Sequence, residues 1–137
     1  MLREDILEAG LRLKLLTYIR SRAPGVLELL DVLCFKLYGS RALDLLFSSP
    51  SKLYSALLTY YGGSSGADYA ALLLFLNPIA KYCGAYGLAK ELLKAMKAMD
   101  NQAFLNLIGK CEGLLGQKDV LGLANPSAPE KPKLYLD

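Results

Sequence analysis

Apolar residues return at every third or fourth position along most of this chain, and that spacing limits the fold more than any other feature. Phe104, Leu107, Ile108, Cys111, Leu114 and Leu115 keep it strictly, and Leu53, Ala56, Leu57 and Tyr60 repeat it. One face of an α-helix recurs at this interval, whereas a half-buried strand alternates with period two, and no sustained alternation occurs here. The apolar residues are also of the helical kind, with thirty-two leucines and few valines or isoleucines. Leucine loses little rotamer freedom in a helix, while β-branched residues favour strands. The sequence therefore predicts an all-α fold, a compact single-domain bundle of about six or seven helices joined by short connections. At 137 residues the chain can bury a core of its own.

Prolines, glycines and capping residues divide the pattern. Residues 2–22 read as one helix with Leu2, Ile6, Ala9, Leu13 and Leu16 inward, flanked by Leu7, Leu11 and Ile19. The segment 25–38 has only Glu28, Asp31 and Lys36 among apolar residues, which predicts the most buried helix, closed by Gly39. A short helix over "SRALDLLF" leads to Ser49-Pro50, an N-cap followed by a first-turn proline, and Gly62-Gly63 ends the helix they open. Another begins near Ala67. Asn77-Pro78 predicts a kink or split in it, because proline has no amide to donate and crowds the preceding turn. Residues 87–99 are amphipathic, with Leu88, Leu92, Ala95, Met96 and Met99 inward, and Asp100 caps the last helix. The bundle is expected over residues 1–118, with a Pro-rich linker and C-terminal tail over 119–137.

The chemistry that the chain lacks narrows its function. There is no histidine, which removes the usual general base and the commonest metal ligand. Cys34, Cys83 and Cys111 are odd in number and widely spaced, so they read as small buried hydrophobes, not as a disulfide framework or a redox pair. No catalytic, cofactor-binding or metal-binding residues are expected, and no cofactor. Glu4, Asp5 and Glu8 suit the positive end of a helix dipole better than acid–base work, and Asp44 and Asp68 read as isolated. The glycines of "YYGGSSGADY" serve a turn, without the surrounding pattern of a phosphate loop. The longest apolar run, Tyr69 to Ala80, is too short to span a bilayer, and the charged N-terminus is unlike a signal peptide. A cytoplasmic protein without membrane contact is the expectation.

Two surfaces remain as candidates. Lys90, Lys94 and Lys97 recur at i, i+4 and i+7, so they share a helix face that is a possible contact for a nucleic-acid backbone, although the net charge is only +3. Pro126, Pro129 and Pro132 favour extended backbone and present Leu134, Tyr135 and Leu136 as a docking segment for a partner or for the chain's own bundle.

The stretch from Leu30 to about Ile79, with "LCFKLYGS" and "FSSPSKLYSALLTYYGG", resembles the small archaeal helical domain called the Nitrosopumilus output domain. That resemblance implies a module that accompanies sensory domains and relays signals through protein contacts. "LLLFLNPIAKYCGAYGL" and "AFLNLIGKCEGLL" are similar to helical small subunits of type III CRISPR effectors. This second resemblance implies a non-catalytic subunit along a guide–target duplex. Neither assigns a functional residue to this chain. The resulting expectation is a non-enzymatic helical interaction or regulatory module with a protein partner or homo-oligomer. The alternative is a small structural subunit of a nucleoprotein complex.

Overall fold

The computed structural model describes residues 2–111, with side chains from residue 8 onward. Helix α1 (Leu2–Arg22) is followed by α2 (Val26–Tyr38), α3 (Ala42–Leu46) and α4 (Pro50–Tyr61). A continuous helical run then comprises α5 (Ser64–Ala70), a π-helical stretch (Ala71–Leu76) and α6 (Asn77–Cys83). Helix α7 (Leu88–Lys97) comes next, and residues 101–111 form α8. No strand occurs among the described residues. The fold is an all-α bundle, as the leucine spacing implies.

The π-helical stretch and α4 lie at the centre. Helix α4 packs against α2, α3, α5 and α7, and the π-helical stretch packs against α1 and α7. Leu15, Leu30, Leu57, Phe75, Leu92 and Phe104 bring their helices to one core and are almost wholly buried. Each side chain of this size contributes roughly 1.5–3 kcal/mol by leaving water.

Local signals explain most boundaries. Gly39 and Gly62 stop α2 and α4 in the left-handed region, at φ of 72° and 75°. Asp100 caps α8 as its position predicts, its Oδ1 accepting the Ala103 amide at 3.0 Å. Ser49 is different. Its side chain does not cap α4, and the amide of Ser51 is instead accepted by Asn101 Oδ1 at 2.9 Å. Asp31 does the same service for α3, accepting the Ala42 amide at 2.9 Å. Both caps come from another helix, so they fasten elements together as well as ending them.

Four expectations need correction. Pro78 neither splits the run nor ends it. The helix widens ahead of it, with the Asn77 amide donating to the Leu72 carbonyl, five residues back. The run stays helical through this π turn, a feature at which helices commonly kink. In α1 the buried line is Leu11, Leu15 and Ile19, while Leu13 and Ala9 are exposed and Leu16 is half-buried. Met99 is not inward either. It is 73% exposed and occupies the left-handed region at φ 59°, turning the chain from α7 into α8. Finally, α2 is not the most buried helix.

Candidate interaction surface

Helix α2 buries Leu27, Leu30 and Cys34 against the bundle. Its other side carries no compensating polar stripe. Leu29, Val32, Phe35 and Leu37 are 56, 67, 65 and 46% exposed. Leu29, Val32 and Phe35, three residues apart, share one face and leave on the order of 350 Å² of apolar surface, within the range of the largest patch on a typical monomer, whereas Leu37 lies about 140° round the helix from Val32. Glu28 and Lys36, each four residues from Val32, lie on the same face and are both exposed. The sequence marks the helix as apolar nearly all round, and such a helix is ordinarily covered on all sides. Here one side stays more than half exposed at Leu29, Val32 and Phe35.

Helix α7 is built in the opposite way. Ala89, Leu92, Ala95 and Met96 face the core, and Lys90, Glu91, Lys94 and Lys97 are exposed. The lysine face therefore exists, but its three members are not equivalent. Lys97 Nζ lies 2.7 Å from Asp68 Oδ2 on α5, whose Oδ1 accepts a 2.5 Å hydrogen bond from the Tyr54 hydroxyl on α4. This carboxylate joins three helices and is not isolated. Burial works to raise the pKa of Asp68, but the hydrogen bonds from Lys97 and Tyr54 outweigh it and hold the group below its usual 3.8. Burial and the neighbouring carboxylate push the Tyr54 hydroxyl up to about 12. Asp44 also has a partner. Arg12 Nη1 is 2.7 Å from its Oδ1, Arg12 Nε is 2.9 Å from Glu8, and the guanidinium lies over the Phe47 ring. Each of these carboxylates is engaged in holding helices together.

The cysteines also depart from expectation. Cys83 and Cys111 form a disulfide with Cα atoms 5.3 Å apart, linking the end of α6 to α8 across 28 residues of sequence. Cys34 is the free cysteine among the described residues and is buried under α2. Burial, aided by Asp31, pushes its thiol up to about 11, so it has little thiolate character at neutral pH. Apolar neighbours made all three look alike in sequence, and the pairing depends on a contact between distant segments.

The glycines of "YYGGSSGADY" have mechanical roles. Gly62 adopts its left-handed turn, and a Cβ on Gly66 would lie 2.9 Å from Tyr61 Cβ. The docking segment Leu134, Tyr135 and Leu136, and Leu114 and Leu115 of the last apolar stripe, lie outside the described residues. Among the described residues, no helix is long and apolar enough to cross a membrane. No protein-family model, curated protein or solved structure matches the chain. Among the described residues, the fold and surface define an all-α bundle in which α2 carries an apolar external face.

Proposed function

We propose that this chain is a non-catalytic protein-interaction or regulatory module acting through the outer face of α2. One observation carries the reading: Leu29, Val32 and Phe35 expose apolar surface on a helix whose opposite side is packed into the core. Burying such a patch against a protein is favourable at roughly 25 cal/mol per Å², before the costs of association. The resemblance of residues 30–79 to a domain that relays signals by protein contact agrees with it. The Cys83–Cys111 disulfide suits either an oxidising compartment or the interior of a hyperthermophilic archaeon. A cytoplasmic archaeal protein is therefore compatible with it.

A photoreactive amino acid at position 32 tests this reading, with the same group at Lys94 as control. Protein adducts from position 32, and few from position 94, are the expected result. Equal or absent adducts at both would remove it.

A second reading, a structural subunit on a nucleic-acid backbone, is favoured by the exposure of Lys90 and Lys94 on one helix. Its test is retention on duplex RNA or DNA that falls steeply with salt and is lost on reversing Lys90 and Lys94 to Glu.

A further inference from the structure

The outer face of α2 has an internal symmetry. The helix has 13 residues, Val26–Tyr38, so Val32 is its central residue. Reflecting positions about Val32 sets Glu28 against Lys36 and Leu29 against Phe35, and it exchanges Gly25 with Gly39. Both glycines adopt positive φ, 85° and 72°, and both mark an end of the helix. An acidic residue before the centre and a basic one at the same distance after it make an antiparallel pairing attractive. A parallel pairing would set like charges side by side.

We propose that the partner of this face is a second copy of the same chain, with the two α2 helices packed antiparallel about a two-fold axis at Val32. This inference rests on α2 being the interaction surface. A two-fold axis perpendicular to both helices places residue i of one copy level with residue 64 − i of the other. Helices rise about 1.5 Å per residue, so Glu28 and Lys36 of the second copy share a level roughly 6 Å from the axis. The same operation repeats this pair on the other side, and it sets Leu29 level with Phe35. Such an isologous contact closes on itself and generates a dimer, not a filament.

Charge and area both bear on the choice. Glu28 is within 3.2 Å of Arg20 in its own chain, but both side chains are more than half exposed, so that pair is weak and leaves Glu28 free to bridge. The apolar patch supplies somewhat less than half of one side of a standard interface. The dimer is therefore a reversible one, formed as concentration rises.

Sedimentation velocity over a concentration series, combined with cysteine cross-linking, tests the proposal on the full chain. Phe35→Glu should weaken dimerisation by at least about thirtyfold, as loss of a central aromatic anchor does. Glu28→Lys or Lys36→Glu alone should weaken it roughly three- to tenfold, each pair occurring twice, and the double exchange should restore it. Under mild oxidation Val32→Cys should give a covalent dimer much faster than Leu29→Cys, because only position 32 lies on the axis. The buried Cys34 makes wild type the control for background coupling. A chain that stays monomeric throughout, with no restoration and no cross-link at position 32, overturns the proposal. If position 32 then labels a different protein, α2 is still the interaction surface and only its occupant was wrong. If it labels only Leu134–Leu136 of its own chain, self-association is wrong and the face is covered from within. No adduct of any kind defeats both readings.

Discussion

Helices α2 and α7 each pack one face into the same core, yet they finish their outer faces in opposite ways. In α7 the exposed positions are Lys90, Glu91, Lys94 and Lys97, groups that water solvates well. In α2 they include Leu29, Val32, Phe35 and Leu37. Both inner faces stabilise the fold by removing apolar surface from water, so the inner faces say little about function. The outer faces differ because they are under different demands. One is complete when it meets solvent, and the other becomes so when it meets another apolar surface.

The contrast is sharpest when the two sides of α2 are substituted in turn. Leu30 is fully buried, and Leu30→Ala should cost about 2–5 kcal/mol of unfolding free energy. Val32→Ala, only two positions away, should change monomer stability by no more than about 0.5 kcal/mol. Denaturant titration at low protein concentration reads both. Similar losses at the two positions would mean that the outer face is covered by this chain.

Reduction of the Cys83–Cys111 disulfide should have the next largest effect, a loss of roughly 3.5 kcal/mol for a loop of this length. Thiol titration of unfolded protein without reductant should find one reactive thiol per chain, Cys34, and three after reduction. Three thiols before reduction would contradict the pairing of α6 with α8.

Smaller effects come from the join between α7 and its neighbours. Removing the hydroxyl with Tyr54→Phe should cost about 1 kcal/mol, the typical worth of one hydrogen bond. Asp68 binds its proton less tightly when folded. Its contribution is therefore complete above the unfolded value near 3.8 and lost as pH falls through the lower folded value. Tyr54 works in the other direction. The unfolded hydroxyl loses its proton near 10.0 and the folded one near 12, so stability should decline as pH rises between them. Asp68→Asn should flatten the acid limb and Tyr54→Phe the alkaline one. Lys97→Glu should destabilise slightly by facing Asp68, while Lys90→Glu should be close to neutral, splitting a lysine face that looks uniform in sequence.

The helical class and most helix ends were legible because leucine spacing, Gly39, Gly62 and Asp100 act locally. Orientation was less so. Helix α1 has leucines at 11, 13, 15 and 16, which support two competing stripes, and only packing selects Leu11 and Leu15. Helix α2 is apolar nearly all round, so its periodicity has no phase, and abundance of apolar residues does not by itself mean burial. The candidate surface was hidden for that reason. The Cys83–Cys111 bridge and the Lys97–Asp68 pair join residues 28 and 29 positions apart, separations that carry no local signal. The Asn101 cap on α4 is hidden in the same way, since Ser49 beside Pro50 already offers the expected capping residue.

Backbone amide spectra of the isotopically labelled full chain, recorded from dilute to concentrated solution, test the account most directly. The account predicts concentration-dependent shifts centred on Leu29, Val32 and Phe35, with Lys90 and Lys94 unmoved. Shifts centred on α7, or none at any concentration, would contradict self-association through α2.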